Sequence, residues 1–299
     1  MPHDILCMGE ILWDALPDGL FLGGAPFNVA CHLHALGTHA SFVSRVGDDA
    51  LGHEALRRLK ARGLGADLMQ IDASLPTGFV RVELSDGGEP DYEIVEPAAW
   101  DAITLTDALQ QRADRADAIV IGSLAQRAAT SRQTIQAVAH AEACIVFDVN
   151  MRSPYVDQAV IRDTLRAADV AKMNSDELQH VREWFGLPAD DDAAMAALAQ
   201  QFACQGICVT QGAAGARLWD DGTLHRTDGY AVAVADTVGA GDAFLAALLV
   251  GLVTERVGPD LLDRANRLGA YVASQSGATP TYPIDTLDDI ATLDLAPVA

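Results

Sequence analysis

From Leu105 to Thr210 the chain alternates at regular intervals between short continuous apolar runs and amphipathic segments. Ala118 to Ile121, Cys144 to Asp148, Val170 to Met173 and Ile207 to Thr210 are too short for helices and show no polar alternation. They read as strands covered on both faces. Helices are expected up to Arg115 and over Ser131 to His140, Gln158 to Ala167, Asp176 to Phe185 and Asp192 to Phe202. Buried strands separated by helices form a mostly parallel sheet between helical layers, so the expected class is α/β. In such a sheet the carboxyl ends of the strands share one edge, where ligands bind.

The first hundred residues fit the same plan with one interruption. Asp4 to Gly9 reads as a buried first strand, and F-L-G-G-A-P-F-N-V-A then opens a helix carried to Leu36. A strand over Ala40 to Val46, a G-D-D turn and a helix over Leu51 to Lys60 follow. From Gly78 to Val95 an alternating run, the turn S-D-G-G-E-P and a second extended run make a β-hairpin, which as an insertion can cover a pocket. Tyr92, Ile94 and Trp100 would then face substrate, or else pack in sheet and core. A hairpin of Ala216 to Trp219 with Thr223 to His225 closes the series. With no repeat or interdomain linker, a single domain over 1–299 is expected, with β-lid segments around 12–22 and 77–100.

Composition narrows the chemistry. At 299 residues and 50% hydrophobic content the chain can bury a substantial core. Its formal charge of −22 argues against nucleic-acid or anionic-membrane partners. Five cysteines include no C-x-x-C pair and lie largely in apolar runs, which favours reduced buried thiols. The eight histidines form no H-E-x-x-H, and His32 and His34, two apart on a helix, do not face one another. The N-terminus has no basic segment followed by an apolar one, and the longest apolar run, Ala243 to Val253, is too short to cross a bilayer. A cytoplasmic protein is expected.

Polar residues collect where the apolar runs stop. Ala231 to Gly251 reads as a strand-like alternation, a turn of Gly239, Ala240 and Gly241, and a buried helix with Asp242 at its start. Amides converging at a helix N-terminus hold an anion. A carboxylate there either caps the helix or, beside a bound phosphoryl group, takes a proton from a hydroxyl. Near the first strand, Gly23 and Gly24 permit close approach of a ligand, while Asp14 and Asn28 offer an acceptor and a mixed donor–acceptor for sugar hydroxyls. Three more clusters end strands: Asp148, Asn150 and Arg152; Lys172, Asn174 and Glu177; Thr210, Gly212 and Gly215. Each by itself could serve only caps, turns and ion pairs. Their placement on one sheet edge brings them together.

These residues resemble the PfkB, or ribokinase-like, family of carbohydrate kinases over essentially the whole chain. G-G-A-P-F-N-V-A at 23–30, V-G-D-D-A-L-G at 46–52, V-T-Q-G-A-A-G at 209–215 and D-T-V-G-A-G-D-A-F at 236–244 are similar to its signatures in order. The first of these, D-x-N-x-R and A-N-R-L-G-A at 265–270 look most like fructokinases. The resemblance implies a three-layer α/β/α sandwich with a small β lid, and transfer of phosphate from ATP to a sugar hydroxymethyl group, most simply D-fructose. Asp242 would be the base and the amides of Gly239, Ala240 and Gly241 the anion hole, with Arg152 facing the transferring phosphate. Asp14, Gly23, Gly24, Asn28 and Asn150 would hold the sugar. Lys172, Asn174, Thr210, Gly212, Gly215 and Asn266 would line the nucleotide site.

Glu177 would position Mg2+ through water, and Asp236 would help form a K+ site. Pairing of exposed lid edges would give a homodimer, as in relatives. Val149 replaces the usual proline of the fructokinase loop, and Y-E-I-V-E-P-A-A-W-D at 92–101 is less polar than in many relatives. The first departure alters stiffness more than chemistry; the second leaves 2-keto-3-deoxygluconate or a nucleoside as alternative acceptors. A sugar sensor without turnover is the non-enzymatic alternative.

Overall fold

The computed structural model describes residues 3–16, 19–84, 90–282, 286–293 and 295–297, with the backbone alone for 82–84, 90–92 and 296–297. The strands are β1 (Asp4–Met8), β2 (Leu12–Leu16), β3 (Gly19–Gly23), β4 (His39–Val43), β5 (Arg45–Gly47), β6 (Gln70–Asp72), β7 (Gly78–Leu84) and β8 (Pro90–Ile94). They continue as β9 (Ala118–Gly122), β10 (Cys144–Asp148), β11 (Val170–Asn174), β12 (Gly206–Thr210), β13 (Ala216–Asp220), β14 (Thr223–Thr227), β15 (Tyr230–Ala231) and β16 (Ala296–Pro297). The helices are α1 (Ala25–Ala35), α2 (Ala50–Ala61), α3 (Asp107–Ala113), α4 (Ala129–Val138), α5 (Gln158–Leu165), α6 (Ser175–Phe185), α7 (Asp191–Phe202), α8 (Ala240–Val253) and α9 (Pro259–Ala273).

An eight-stranded sheet in the order β14-β13-β12-β11-β10-β9-β1-β4 forms the middle layer. Its pairings are parallel except those of β13 with β12 and with β14. Alternate side chains of one strand face opposite layers. Ile5 and Cys7 pack with α1, α2, α8 and α9, while Leu6 and Met8 pack with helices α3 to α7. Two hydrophobic cores, one on each face, are the physical content of the three-layer α/β/α sandwich expected from the uninterrupted apolar strands. The chain runs outward from β1 to β4 and then returns to build β9 to β12 on the other side of β1. The strand order therefore reverses beside β1, where a crevice opens at the carboxyl ends.

The smaller sheet, β3-β2-β7-β8, is built from the two segments expected to form a lid. Residues 85–89, the turn of the expected hairpin, lie outside the described residues, as does the Tyr92 side chain. Trp100 takes the packing alternative: it is fully buried, with the Arg127 guanidinium 3.9 Å from its ring centroid. Ile94 is half-buried, and its carbonyl accepts from the Tyr155 hydroxyl at 2.8 Å.

Two strand expectations change. Ala40 to Val46 breaks at the buried Ser44, whose carbonyl accepts from Gln70 N at 3.0 Å, so Arg45–Gly47 leaves the main sheet to pair with Gln70–Asp72. The alternation from Ala231 onward yields only β15, because Ala235 N and Asp236 N bond to the Ala273 carbonyl at the end of α9 instead of to a strand. Alternation without a pairing partner does not make a strand. All five cysteines are free thiols, four of them buried. Among the described residues no helix is long and apolar enough to cross a membrane.

Candidate active site

The site starts from the turn that opens α8. Gly239 is the N-cap with φ 81°, a left-handed conformation that side chains other than glycine's adopt at a cost. Asp242 follows as the third helical residue, nearly buried at 9% exposure. Ala240 N–H turns to the Thr237 carbonyl at 3.3 Å. The amides of Gly239, Gly241 and Asp242 have no acceptor among the described residues. They are the orphan donors of a helix start and can converge on an anion.

The side chain of Asp242 is held from the first motif. Asn28, on the buried face of α1, donates from Nδ2 to Asp242 Oδ2 at 2.9 Å, and its own Oδ1 is buried without a donor among the described residues. Asp14 lies in β2, and its carboxylate abuts Gly23 in β3 so closely that a Cβ there would sit 2.7 Å from Oδ2. Burial, partly offset by Arg152, pushes Asp14 up to about 6. For Asp242, burial and then repulsion from Asp148 outweigh Asn28, Lys172 and Arg152, and raise it to about 6. The Arg152 charge acts on Glu10, Asp14 and Asp242 alike, so one guanidinium serves three carboxylates. Its Nη1 donates to the Met151 carbonyl at 3.0 Å.

Below α8, parallel register sets Asp148 of β10 beside Lys172 of β11, and Lys172 Nζ reaches Asp148 Oδ1 at 3.0 Å. A Cβ on Gly241 would lie 3.3 Å from that ammonium, so the pair sits directly under the turn. Burial alone would pull Lys172 down, but Asp148, Asp242 and Glu177 outweigh it and hold the ammonium above its ordinary value. Asp148 Oδ2 has no hydrogen-bond partner among the described residues.

Sequence patterning assigns no role to Glu10, which directly follows β1. It is buried, its Oε2 has no partner among the described residues, and it lines, together with Asp148, Ser123 and Asn150, a cavity about the size of one water molecule. Burial raises it to about 7. The signal available in the sequence was its place directly after a buried strand.

The remaining residues form one neighbourhood across β11, β12 and α9. Asn174 caps α6, accepting from Glu177 N at 2.8 Å, while Glu177 spends Oε2 on Asn174 N at 2.8 Å and Oε1 on Met151 N at 2.7 Å. Burial foremost raises Glu177. Thr210 pairs with Asn174 in register and donates to the Met173 carbonyl at 3.4 Å. Gly212 and Gly215 bracket a short turn, and a Cβ on Gly215 would meet the Thr227 carbonyl at 2.0 Å. Asn266 Nδ2 donates to the nearby Asp228 carbonyl at 3.5 Å. Asp236 accepts from Val238 N at 3.0 Å. Asn150 stands apart in conformation, with φ 36°.

Comparison with known proteins shows the family and the fold. The family model of pfkB family carbohydrate kinases matches residues 19–285. A fructokinase of Escherichia coli is 31% identical over 304 residues, which cover 95% of this chain and 97% of that protein. The crystal structure of a fructokinase with bound ATP from Xylella fastidiosa superposes with a TM-score of 0.83 at 25% identity, covering 97% of both chains. An uncharacterized sugar kinase, PH1459 of Pyrococcus horikoshii, in complex with ATP gives a TM-score of 0.76 at 28% identity, over 92% of this chain and 94% of that one.

Proposed function

The chain belongs to the pfkB family of carbohydrate kinases, and on that premise we propose that it is an ATP-dependent sugar kinase acting on D-fructose to give fructose 6-phosphate. The observation that carries the reading is a nearly buried carboxylate, Asp242, set at a helix start with unpaired amides and bonded to Asn28 of the glycine-flanked motif. Phosphoryl transfer needs alignment and charge compensation more than covalent help from the protein. Asp242 accepts the proton of the attacking hydroxyl. Free amides of the 239–242 turn and Arg152 offset charge on the phosphoryl group. Asp14, Asn28 and Asn150, with Gly23 and Gly24 allowing close approach, orient the sugar. Lys172, Asn174, Thr210, Gly212, Gly215 and Asn266 line the nucleotide side.

Among the described residues no group of three or more His, Cys, Asp or Glu could cage a metal, so the chain suits a cation that arrives with the nucleotide phosphates. Asp148 Oδ2 and the lone pairs left on Glu177 are acceptors suited to the water shell of Mg2+. When bound, Mg2+ would neutralise phosphate charge. Asp236, with one oxygen turned to Val238 N, offers its other to K+. Leu20 and Phe21, exposed on the edge strand β3, give a second copy of the chain an apolar face to pair with.

Release of ADP by purified protein, measured over fructose, ribose, 2-keto-3-deoxygluconate, adenosine and other nucleosides, tests the reading. Fructose should give the highest kcat/KM. Turnover of another acceptor alone would replace the substrate, and stabilisation by sugar with no ADP release would leave a sensor.

A further inference from the structure

We propose that Arg127 and Tyr155 are positioning residues that set the small sheet carrying Asp14 against the loop carrying Arg152, and with it the sugar against the phosphoryl group; this rests on the kinase reading. Arg127 lies between β9 and α4, where its amide donates to the Leu124 carbonyl at 3.0 Å and its carbonyl accepts from Arg132 Nη2 at 3.1 Å. It is thus rooted beside the main sheet. Its side chain is only 5% exposed and reaches the segment by which the chain leaves the small sheet. Nε and Nη2 donate to Asp101 Oδ1 and Oδ2 at 2.7 and 2.8 Å, and Nη2 also to the Val95 carbonyl at 3.0 Å. The ring centroids of Trp100 and Tyr155 lie 3.9 and 4.6 Å from the guanidinium carbon. A planar fork that also stacks on rings does what a lysine cannot.

That segment is tied to the small sheet at both ends. Val95 N donates to the Phe79 carbonyl of β7 at 2.9 Å, and a Cβ on Gly78, the first residue of β7, would lie 2.5 Å from Trp100 Nε1. Register places Ile94 of β8 opposite Val80 of β7, and Val80 opposite Asp14 of β2, so the three form one row across the sheet. Tyr155 holds the end of that row, its hydroxyl donating to the Ile94 carbonyl at 2.8 Å. Its amide donates to the Arg152 carbonyl, also at 2.8 Å. One residue therefore bonds both to the row that carries Asp14 and to the loop that carries Arg152. A buried ion pair yields little net stability over apolar packing of equal volume. Its directional bonds instead define one position, and phosphoryl transfer depends on position.

The test compares Tyr155→Phe, which keeps the ring and removes the bond to Ile94, with Arg127→Lys, which keeps the charge and loses the fork. Assayed well below the melting temperature, Tyr155→Phe should raise the fructose KM about fivefold, the effect of one hydrogen bond, while the ATP KM stays within about twofold. Arg127→Lys should lower kcat/KM for fructose at least tenfold. The double variant should be little worse than Arg127→Lys alone, because both residues act on the same joint. A purely structural role would lower Tm and leave both KM values in place. That result in Tyr155→Phe, or an equal rise in the two KM values, overturns the assignment, as do additive effects in the double variant. If Arg127→Lys fails to fold, the split between the two KM values in Tyr155→Phe decides by itself. No ADP release by the wild type with any acceptor would sink the kinase reading, a result distinct from any of these.

Discussion

Asn28 Nδ2 and Asp242 Oδ2 lie 2.9 Å apart although 214 positions separate them in the chain. The bond couples the residue assigned to the sugar with the residue assigned to proton transfer. Two substitutions separate these duties. Asp242→Asn keeps the shape and removes the proton acceptor, so kcat should fall by about 10² to 10⁴ with sugar binding retained. Asn28→Ala removes a bond that lowers Asp242, so the carboxyl should titrate higher, and the acid limb of the kcat/KM profile should move upward by about one unit at most. Steady-state profiles from pH 5 to 9, with thermal shifts in sugar, check both. Undiminished kcat in Asp242→Asn would remove the base from its role.

Buried carboxylates make stability and activity depend on pH in opposite senses. Asp242 must be ionised to act, so activity should rise through about pH 6. Glu10 is raised to about 7 from 4.5 by burial. The folded state therefore binds its proton more tightly than the unfolded one. Below pH 4.5 this costs nothing; as pH rises through 7 the fold loses stability, on the order of 3 kcal/mol at the upper limit. Glu10→Gln, neutral at every pH, should then raise Tm at pH 8 and leave it nearly unchanged at pH 4.5. Equal Tm shifts at the two values would show that burial does not perturb Glu10.

The layered sheet was legible because strands such as Ala118 to Ile121 are apolar on both faces, a pattern that only double coverage explains. Asp148, Asn174 and Thr210 were legible as a group for the same reason: each ends a parallel strand, and parallel strands end together. The alternation after Ala231 misled because a strand exists only where a neighbour bonds to it; Val234 stands 63% exposed with none. Trp100 resembled a lid aromatic, but its surroundings depend on how Arg127, distant in sequence, stacks upon it. Glu10 escaped notice as a site residue because its meaning lies in an unpartnered buried atom, which spacing does not reveal.

Lys172 and Asp148 form a buried ion pair beneath the same turn. Removing one partner leaves the other charged and unpaired, so Lys172→Met should destabilise the fold by about 3–5 kcal/mol. Asp148→Asn in the Lys172→Met background should restore part of that. The two single variants should also move Asp242 in opposite directions, because Lys172 lowers its pKa and Asp148 raises it. The acid limb should shift up in Lys172→Met and down in Asp148→Asn. Urea melts at pH 7.5 and pH–rate profiles test the two parts separately, and limbs moving in the same direction would contradict the electrostatic account.

Two glycines of one turn should respond differently to the same added methyl group. Gly239 has φ 81°, and its Cβ would meet the Ala278 carbonyl oxygen at 2.3 Å, backbone that cannot yield without moving the segment whose Tyr282 hydroxyl meets His32 Nδ1. Gly241 is helical, and its Cβ would meet the end of the Lys172 side chain at 3.3 Å, which can give by a few tenths of an ångström. Gly239→Ala should therefore cost both strain, about 1–2 kcal/mol from the left-handed backbone, and the cradle's shape, with a fall in kcat of at least tenfold. Gly241→Ala should keep the wild-type Tm within a few degrees, since alanine favours a helix. Its effect should appear mainly in the KM for ATP, as the methyl group presses on the ammonium beneath the phosphate position. Thermal melts and kinetics of the two alanine variants, purified side by side, decide it; equal losses at both positions would mean that the turn tolerates no side chain anywhere, and that backbone shape at Gly239 has no special part in holding the anion.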